Sequence, residues 1–153
     1  MDGYDIVKFF HVLSAVIWVG AGIGITILGT RASRSTDPAD IVKIGRDAGW
    51  LGTRFFVPAS LSTLIFGIIT VLVGDWSFGD TWIIVGLAGF GLSFIIGAGF
   101  LGPQSEKVAD LADEHGETHP IVVQQVKKVM AVSRVDQLII LAVVLDMVVK
   151  PGA

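Results

Sequence analysis

The chain has 153 residues, of which 52% are hydrophobic and 16% charged, and its formal net charge is −3. With a mean hydropathy of +0.73, it is too apolar for a soluble domain of this length, which predicts one membrane domain spanning 1–153. The negative charge argues against a nucleic-acid partner, because phosphate binding requires a concentrated basic face. The chain has no cysteine, which excludes disulfides, thiolate zinc sites, cysteine-ligated iron–sulfur clusters and covalent c-type haem.

Three segments that contain no Lys, Arg, Asp or Glu predict membrane-spanning helices. They cover 9–30, 55–74 and 81–105, and each is long enough to cross a hydrocarbon core of about 30 Å as a helix. A fourth apolar segment is interrupted by three charged residues: Arg134, Asp136 and Asp146. We therefore predict an all-α polytopic membrane protein, a four-transmembrane-helix bundle with helices at about 5–30, 53–74, 81–102 and 129–149.

Local signals predict how these helices are connected. The segment 37–51 begins with a helix-start pattern and is predicted to form a short amphipathic helix on the membrane surface. Gly102 and Pro103 are expected to end the third helix, and the acidic segment 104–117 to form a solvated loop. The fourth helix is expected to start before the membrane, at Pro120.

The distribution of positive charge predicts the orientation of the helices. Of the eleven Lys and Arg residues, all but Lys8 and Lys150 lie in 31–54 and 103–134. By the positive-inside rule these two connections face the cytoplasm, and the N and C termini and the connection 75–80 face outward. We expect a multi-pass protein of the cell (plasma) membrane whose first helix is a retained signal anchor. Its main partner is membrane lipid.

His11, Ser14 and Trp18 lie on one face of the first predicted helix, since their offsets are three and seven residues. His11 is the only histidine in a predicted membrane segment, so its imidazole needs a partner inside the bundle. A hydrogen bond to a neighbouring helix is the simplest expectation. Ligation of haem or another metal is an alternative, because neutral imidazole is a good axial ligand, and a proton-handling role is another.

Asp146 and Met147 lie near the outer end of the fourth predicted helix, at a depth similar to that of His11. Asp146 could pair with His11 and orient its ring, or with Lys150 one helical turn later. Met147 is expected to be a core residue, with soft axial ligation of a haem as the alternative.

Arg31, Arg54, Arg134 and Asp136 form a predicted polar cluster at the cytoplasmic rim. Interfacial snorkelling and an ion pair would explain them, and the alternative is a basic site for an anionic head group or a haem propionate. The candidate cofactor-binding residues, which include His11 as the candidate metal ligand, are His11, Trp18, Arg31, Arg54, Asp146 and Met147.

Small residues recur every fourth position in two predicted helices. Gly20 and Gly24 form such a row in the first helix, and Gly89, Ser93 and Gly97 form one in the third. In lipid these rows allow helix backbones to approach closely. The pattern is compatible with packing inside the bundle or against a second protomer.

The segments FFHVLSAVIWVGAGI, FLGPQ and LDMVVKPG resemble a bacterial family of predicted four-helix integral membrane proteins of unknown function, whose members end in a Met-Val-x-Lys-Pro-like motif. This resemblance spans nearly the whole chain and implies the architecture but no activity. His11, Trp18, Gly20 and Arg31 are more distantly similar to membrane protoporphyrinogen oxidases and copper-resistance D proteins. In those oxidases the histidine is associated with haem b and a lysine in a later helix is needed, whereas the third helix here contains no lysine.

Three functions follow from these patterns, and none of them assigns a catalytic residue or a reaction. The first is an accessory or scaffolding component, in a homo-oligomer or a larger membrane complex. The second is a haem b- or porphyrin-binding redox protein that uses His11, where a bis-histidine haem would need two copies of the chain. The third is a small oligomeric transporter that uses His11 and Asp146.

Overall fold

A computed structural model describes residues 2–152 of the chain, and this part contains helices and no strand. Six α-helices follow one another: α1 (Gly3–Ala32), α2 (Pro38–Leu51), α3 (Val57–Val73), α4 (Thr81–Phe94), α5 (Gly102–His115) and α6 (Pro120–Val149). Two π-helical segments, Gly52–Phe56 and Ile95–Leu101, join α2 to α3 and α4 to α5 without a break. The all-helical prediction is therefore confirmed.

Helix α1 begins at a side-chain cap and runs through the whole first uncharged segment. The Asp2 carboxylate accepts a hydrogen bond of 3.0 Å from the Asp5 backbone N–H, which satisfies one of the free N–H groups of the first turn. The helix ends at Ser33, whose backbone N–H donates to the Gly29 and Arg31 carbonyls. Its 30 residues span roughly 45 Å, more than a bilayer core requires.

The short helix predicted at 37–51 is present as α2, but it is not separate from the helix that follows. It continues through Gly52–Phe56 into α3, and the resulting helix Pro38–Val73 has 36 residues. The Val57 N–H bonds to the Gly52 carbonyl, five residues back. Pro58 follows at once, and a proline disrupts regular α-helical bonding because it lacks an N–H and clashes with the preceding turn. The wider π turn accommodates that proline, so the helix does not need to stop.

The same arrangement overturns the predicted stop at Gly102 and Pro103. The Gly102 N–H bonds to the Gly97 carbonyl, again five residues back, and Pro103 follows in the first turn of α5. The helix therefore runs from Thr81 to His115, and the predicted solvated loop 104–117 is mostly helical. It ends at Gly116, whose φ of 88° favours glycine.

Helix α6 starts where the sequence predicts. His119 caps it by accepting a hydrogen bond of 3.3 Å from the Ile121 N–H, and Pro120 occupies the first helical position. The predicted apolar segment 129–149 forms the second part of this helix. Lys150 terminates it in a left-handed backbone conformation, with φ 48°.

The helices of the bundle pack side by side in specific pairs. Helix α1 lies along α3, α6 lies along α4, and α1 also contacts α6. We call the end of the bundle that holds Trp76 and Lys150 the hairpin end, and the end that holds Arg31 the arginine end. At the arginine end α2, α5 and the first half of α6 enclose a buried apolar core: Ile41, Val42, Val108, Ala112, Val122, Val126 and Val129.

The apolar side chains of the membrane segments lie mostly on the outside. Large residues on three different helices are more than half exposed: Val16 (63%), Leu72 (68%) and Val148 (76%). Such faces are stable when lipid surrounds them. Among the described residues, three helices are long and apolar enough to cross a membrane: Gly3–Ala32, Pro38–Val73 and Thr81–His115. That α6 also crosses the membrane, giving four crossings in total, stays a prediction. The side of the membrane on which the termini lie is likewise a prediction.

Candidate functional site

His11 is held by helix α3. Its Nδ1 atom lies 2.9 Å from the Thr63 backbone carbonyl oxygen, and since a carbonyl can only accept, Nδ1 carries the hydrogen and donates it. The ring rests against Gly67, where a Cβ atom would lie 2.9 Å from His11 Cε1. In the neutral imidazole the other nitrogen, Nε2, then has a free lone pair. The expected hydrogen bond from His11 to a neighbouring helix is present.

Trp18 faces a different helix from His11. Its ring packs edge-on against Phe90 of α4, with ring centroids 5.6 Å apart. Ser14, between them in the sequence, donates to the Phe10 carbonyl one turn back at 2.8 Å. The three residues share one face of α1, but the structure assigns them separate structural roles.

Asp146 and Met147 pack against Gly86 of α4, where the absence of a side chain leaves room for them. Among residues 2–152 the Asp146 side chain makes no hydrogen bond or ion pair with His11, and none with Lys150. Similar depth in the bundle does not bring His11 and Asp146 together, because His11 faces α3 and Asp146 faces α4.

Lys150 is bound by two aromatic rings. Its Nζ atom lies 4.0 Å from the centroid of Trp76 and 4.9 Å from that of Trp82. The two rings are perpendicular, with centroids 5.2 Å apart, and Trp76 Nε1 donates to the Tyr4 hydroxyl at 3.2 Å. We call this arrangement the Lys150 cage. It joins α1, the connection after α3, α4 and the end of α6.

A polar cluster lies between α4 and α6 and consists of Ser93, Asp136 and Gln137. The predicted site residues do not include it. The Ser93 hydroxyl faces the Asp136 carboxyl group. Gln137 Oε1 packs against α1 at Gly22, whose missing Cβ would lie 2.5 Å away. Ser93 Oγ, Asp136 Oδ1 and Gln137 Nε2 are buried, with no hydrogen-bond partner in the described part of the chain. The sequence signal that could have predicted this cluster is an acidic residue next to an amide residue, Asp136 and Gln137, within an apolar segment.

The ion pair predicted within the polar cluster at the cytoplasmic rim, between Asp136 and one of the arginines, does not form in the described part of the chain. Arg134 Nη2 donates to the Thr30 hydroxyl of α1 at 3.2 Å, while Asp136 points to α4. Residues two apart on a helix face different directions, so they do not meet. Arg54 lies over the Trp50 ring, 5.3 Å from its centroid, and Arg31 lines an open groove on α1.

The six predicted cofactor-binding residues therefore do not converge on one pocket. Within the described range 2–152, the structure also shows no group of three or more His, Asp or Glu side chains placed to hold a metal ion. His11 contacts α3, Trp18, Asp146 and Met147 contact α4, and the two arginines lie at the arginine end. Most of these side chains join one helix to another. His11 Nε2 and Asp146 Oδ2 are atoms with ligand chemistry that have no partner in the described residues, and they lie on different sides of the bundle.

A family model described as "Predicted integral membrane protein (DUF2269)" matches residues 5–151. Since this covers nearly the whole chain, the protein belongs to that family, which confirms the expectation of an uncharacterised membrane protein family. No curated protein and no solved structure matches the chain. The similarity to membrane protoporphyrinogen oxidases and copper-resistance D proteins stays a prediction.

Proposed function

We propose that this member of the DUF2269 family of predicted integral membrane proteins is a non-enzymatic accessory or scaffolding component of the membrane. The observation that carries this proposal is the use of its polar side chains. His11 joins α1 to α3, Arg134 joins α6 to α1, and Lys150 joins α6 to Trp76 and Trp82. These contacts fix the positions of the helices, as a structural component requires.

A surface for association with another membrane helix lies on α1. Glycines inside the unit are covered by specific side chains, for example Gly67 by His11 and Gly89 by Val143. Gly20 and Gly24, by contrast, have no neighbouring atom within reach of an added Cβ. A glycine costs about 1 kcal/mol of helix stability relative to alanine, and close approach of a second helix in lipid would offset this. The proposed partner is therefore a transmembrane helix of another protein.

The test is co-purification from native membranes in a mild detergent. We expect the tagged protein to bring down another membrane protein in a fixed ratio, and the double variant Gly20→Leu/Gly24→Leu to lose it, because leucine side chains hold the two helix backbones apart. Gly91→Leu is the matched control, since Gly91 of α4 is also open. Recovery of the chain alone, or equal loss in the control variant, would contradict the proposal.

Haem b binding is a second candidate function, and the bond from His11 to Thr63 favours it. A histidine that ligates a metal usually donates its other ring N–H to a carbonyl or carboxylate, which fixes the ring and its tautomer. His11 has this arrangement, with Nδ1 donating to the Thr63 carbonyl and Nε2 free. Arg31, Asp146 and Met147 lie elsewhere, so from this chain His11 alone would hold the iron, which would supply redox chemistry.

An absorption spectrum of the protein purified from haem-replete cells tests this candidate. If His11 binds haem b, a Soret band appears, and His11→Ala removes at least about nine-tenths of it, since the axial ligand is lost. His119→Ala, which changes the cap of α6 and the stacking of His119 on His115, should leave the band intact. A colourless preparation of folded protein would end the haem hypothesis.

A further inference from the structure

Three arginines at the arginine end lack an acidic partner. In the described part of the chain, Arg31, Arg34 and Arg134 have no carboxylate within ion-pair distance. Among the other cations on the same side, Arg46 pairs with Asp113 at 2.8 Å, and Arg54 and Lys128 lie over the Trp50 and Phe100 rings. Lys43, Lys107 and Lys127 also have no ion-pair partner among the described residues. Of these unpaired cations, Arg31, Arg34 and Arg134 gather at one place, around the last turns of α1.

That place is an open groove of about 370 Å³ on the outer face of α1, lined by Thr26, Ile27, Thr30, Arg31 and Arg34. Arg134 reaches it from α6 through its hydrogen bond to the Thr30 hydroxyl. The groove lies where the uncharged segment 9–30 ends, which is the expected level of the lipid head groups.

We infer that this groove binds the phosphate of an anionic phospholipid. Arginine presents a planar set of donors that suits phosphate oxygens. The hydroxyls of Thr26 and Thr30 already donate to the Gly22 and Thr26 carbonyls, so the guanidinium groups are the donors available to a phosphate. Ile27 and Leu28, which are 62% and 48% exposed, continue from the groove along α1 as an apolar surface for the acyl chains. The site thus offers positive charge to the phosphate of a lipid and apolar surface to its acyl chains, whereas a soluble phosphate would use only the positive charge.

The acceptor groups near the groove already have hydrogen-bond donors of their own, so they do not compete with a phosphate for the arginines at close range. Asp37 accepts from the Ala39 N–H at 2.9 Å, and Asp40 is hydrogen-bonded to Ser35. The carbonyls of Gly29 and Thr30 in the last turn of α1 accept hydrogen bonds from Ser33. The three guanidinium groups carry three positive charges against the two carboxylates of Asp37 and Asp40 and the negative end of the α1 dipole, so the net charge beside the groove is positive.

The experiment uses the full chain purified in a neutral detergent and measures its melting temperature after addition of lipid. We expect phosphatidylglycerol to raise it by about 4 °C, since ligand that binds the folded state stabilises it. Phosphatidylcholine should give less than half of this shift. The variant Arg31→Gln/Arg34→Gln/Arg134→Gln should lose most of the response to phosphatidylglycerol, because the phosphate has lost its donors.

The matched control removes three cations from the same end of the molecule: Arg46→Gln, Arg54→Gln and Lys128→Gln. It should keep the response, and native mass spectrometry of bound phosphatidylglycerol gives a second readout for any variant that melts early. An equal loss in both triple variants would show a general charge effect and overturn the site. A shift of the same size with glycerol phosphate would overturn the lipid assignment.

Discussion

At the scale of single residues, Lys150 shows how this protein uses a charge at the end of a membrane helix. Its backbone adopts a left-handed conformation that few side chains favour. Its ammonium lies between Trp76 and Trp82, and Trp82 is only 6% exposed. A cation that leaves water for two aromatic faces gains about 2 kcal/mol, which offsets the backbone cost and fastens the end of α6.

We predict that Lys150→Gln lowers the free energy of unfolding by about 1–2 kcal/mol, because the cage loses its cation. Lys150→Arg should retain most of the stability, since a guanidinium also binds aromatic faces. The measurement is thermal or denaturant unfolding in detergent. Lys127→Gln on the exposed side of α6 is the control. If the Gln variant at 150 unfolds like the wild type, the cage does not stabilise the bundle.

At the scale of helices, the buried core and the apolar membrane segments are different parts of the molecule. Val42, Val108 and Val126 are fully buried, and they lie in α2, α5 and the first half of α6. In the membrane segments lipid provides an apolar solvent, so apolar side chains need no burial. The extension beyond the arginine end requires a core of its own, as a water-soluble domain does.

This difference predicts that two equivalent substitutions in α6 have unequal effects. Val126→Ala should destabilise the protein by about 2 kcal/mol, because it leaves a cavity in the buried core. Val144→Ala should change stability by less than about 0.5 kcal/mol, since Val144 faces outward. Melting of the two variants in detergent gives the comparison. A similar loss in both variants would show that the core does not end where the membrane segments begin.

The sequence predicts the helices better than their connections. The uncharged segments are strong signals, and three of the four predicted helices contain segments long and apolar enough to span a membrane. The predicted stop at Gly102 and Pro103 is wrong because a π turn, which has no sequence signal of its own, carries the helix past the proline. The predicted helix 37–51 is present as α2, but its continuation past Pro58 was not predicted, because it again depends on a π turn.

The candidate site could be predicted only in part. The uncharged context of His11 was enough to predict a hydrogen bond to a neighbouring helix. The helix that Asp146 faces could not be predicted, because it depends on the rotation of α6 about its axis. The position of Asp146 in the sequence predicts only its depth in the membrane. For the same reason Asp136 was predicted to pair with an arginine of the polar cluster at the cytoplasmic rim, although it faces Ser93.

At the scale of the whole molecule, the protein is a membrane bundle with a helical extension at one end. The Lys150 cage closes the hairpin end, and the apolar core of α2, α5 and α6 closes the other. The helices between them present apolar surface to lipid, together with the open glycines of α1 and the arginine groove. Association with a membrane partner and binding of anionic lipid would both take place on this outer surface.

The direct test of this architecture is the accessibility of single cysteines, since the chain has none of its own. Ser77→Cys, Glu117→Cys and Gly152→Cys are treated in intact cells with a membrane-impermeant maleimide. Four crossings predict labelling of positions 77 and 152 from outside, and labelling of position 117 only after permeabilisation. If position 152 is protected together with 117, α6 does not cross the membrane and the four-helix bundle is contradicted.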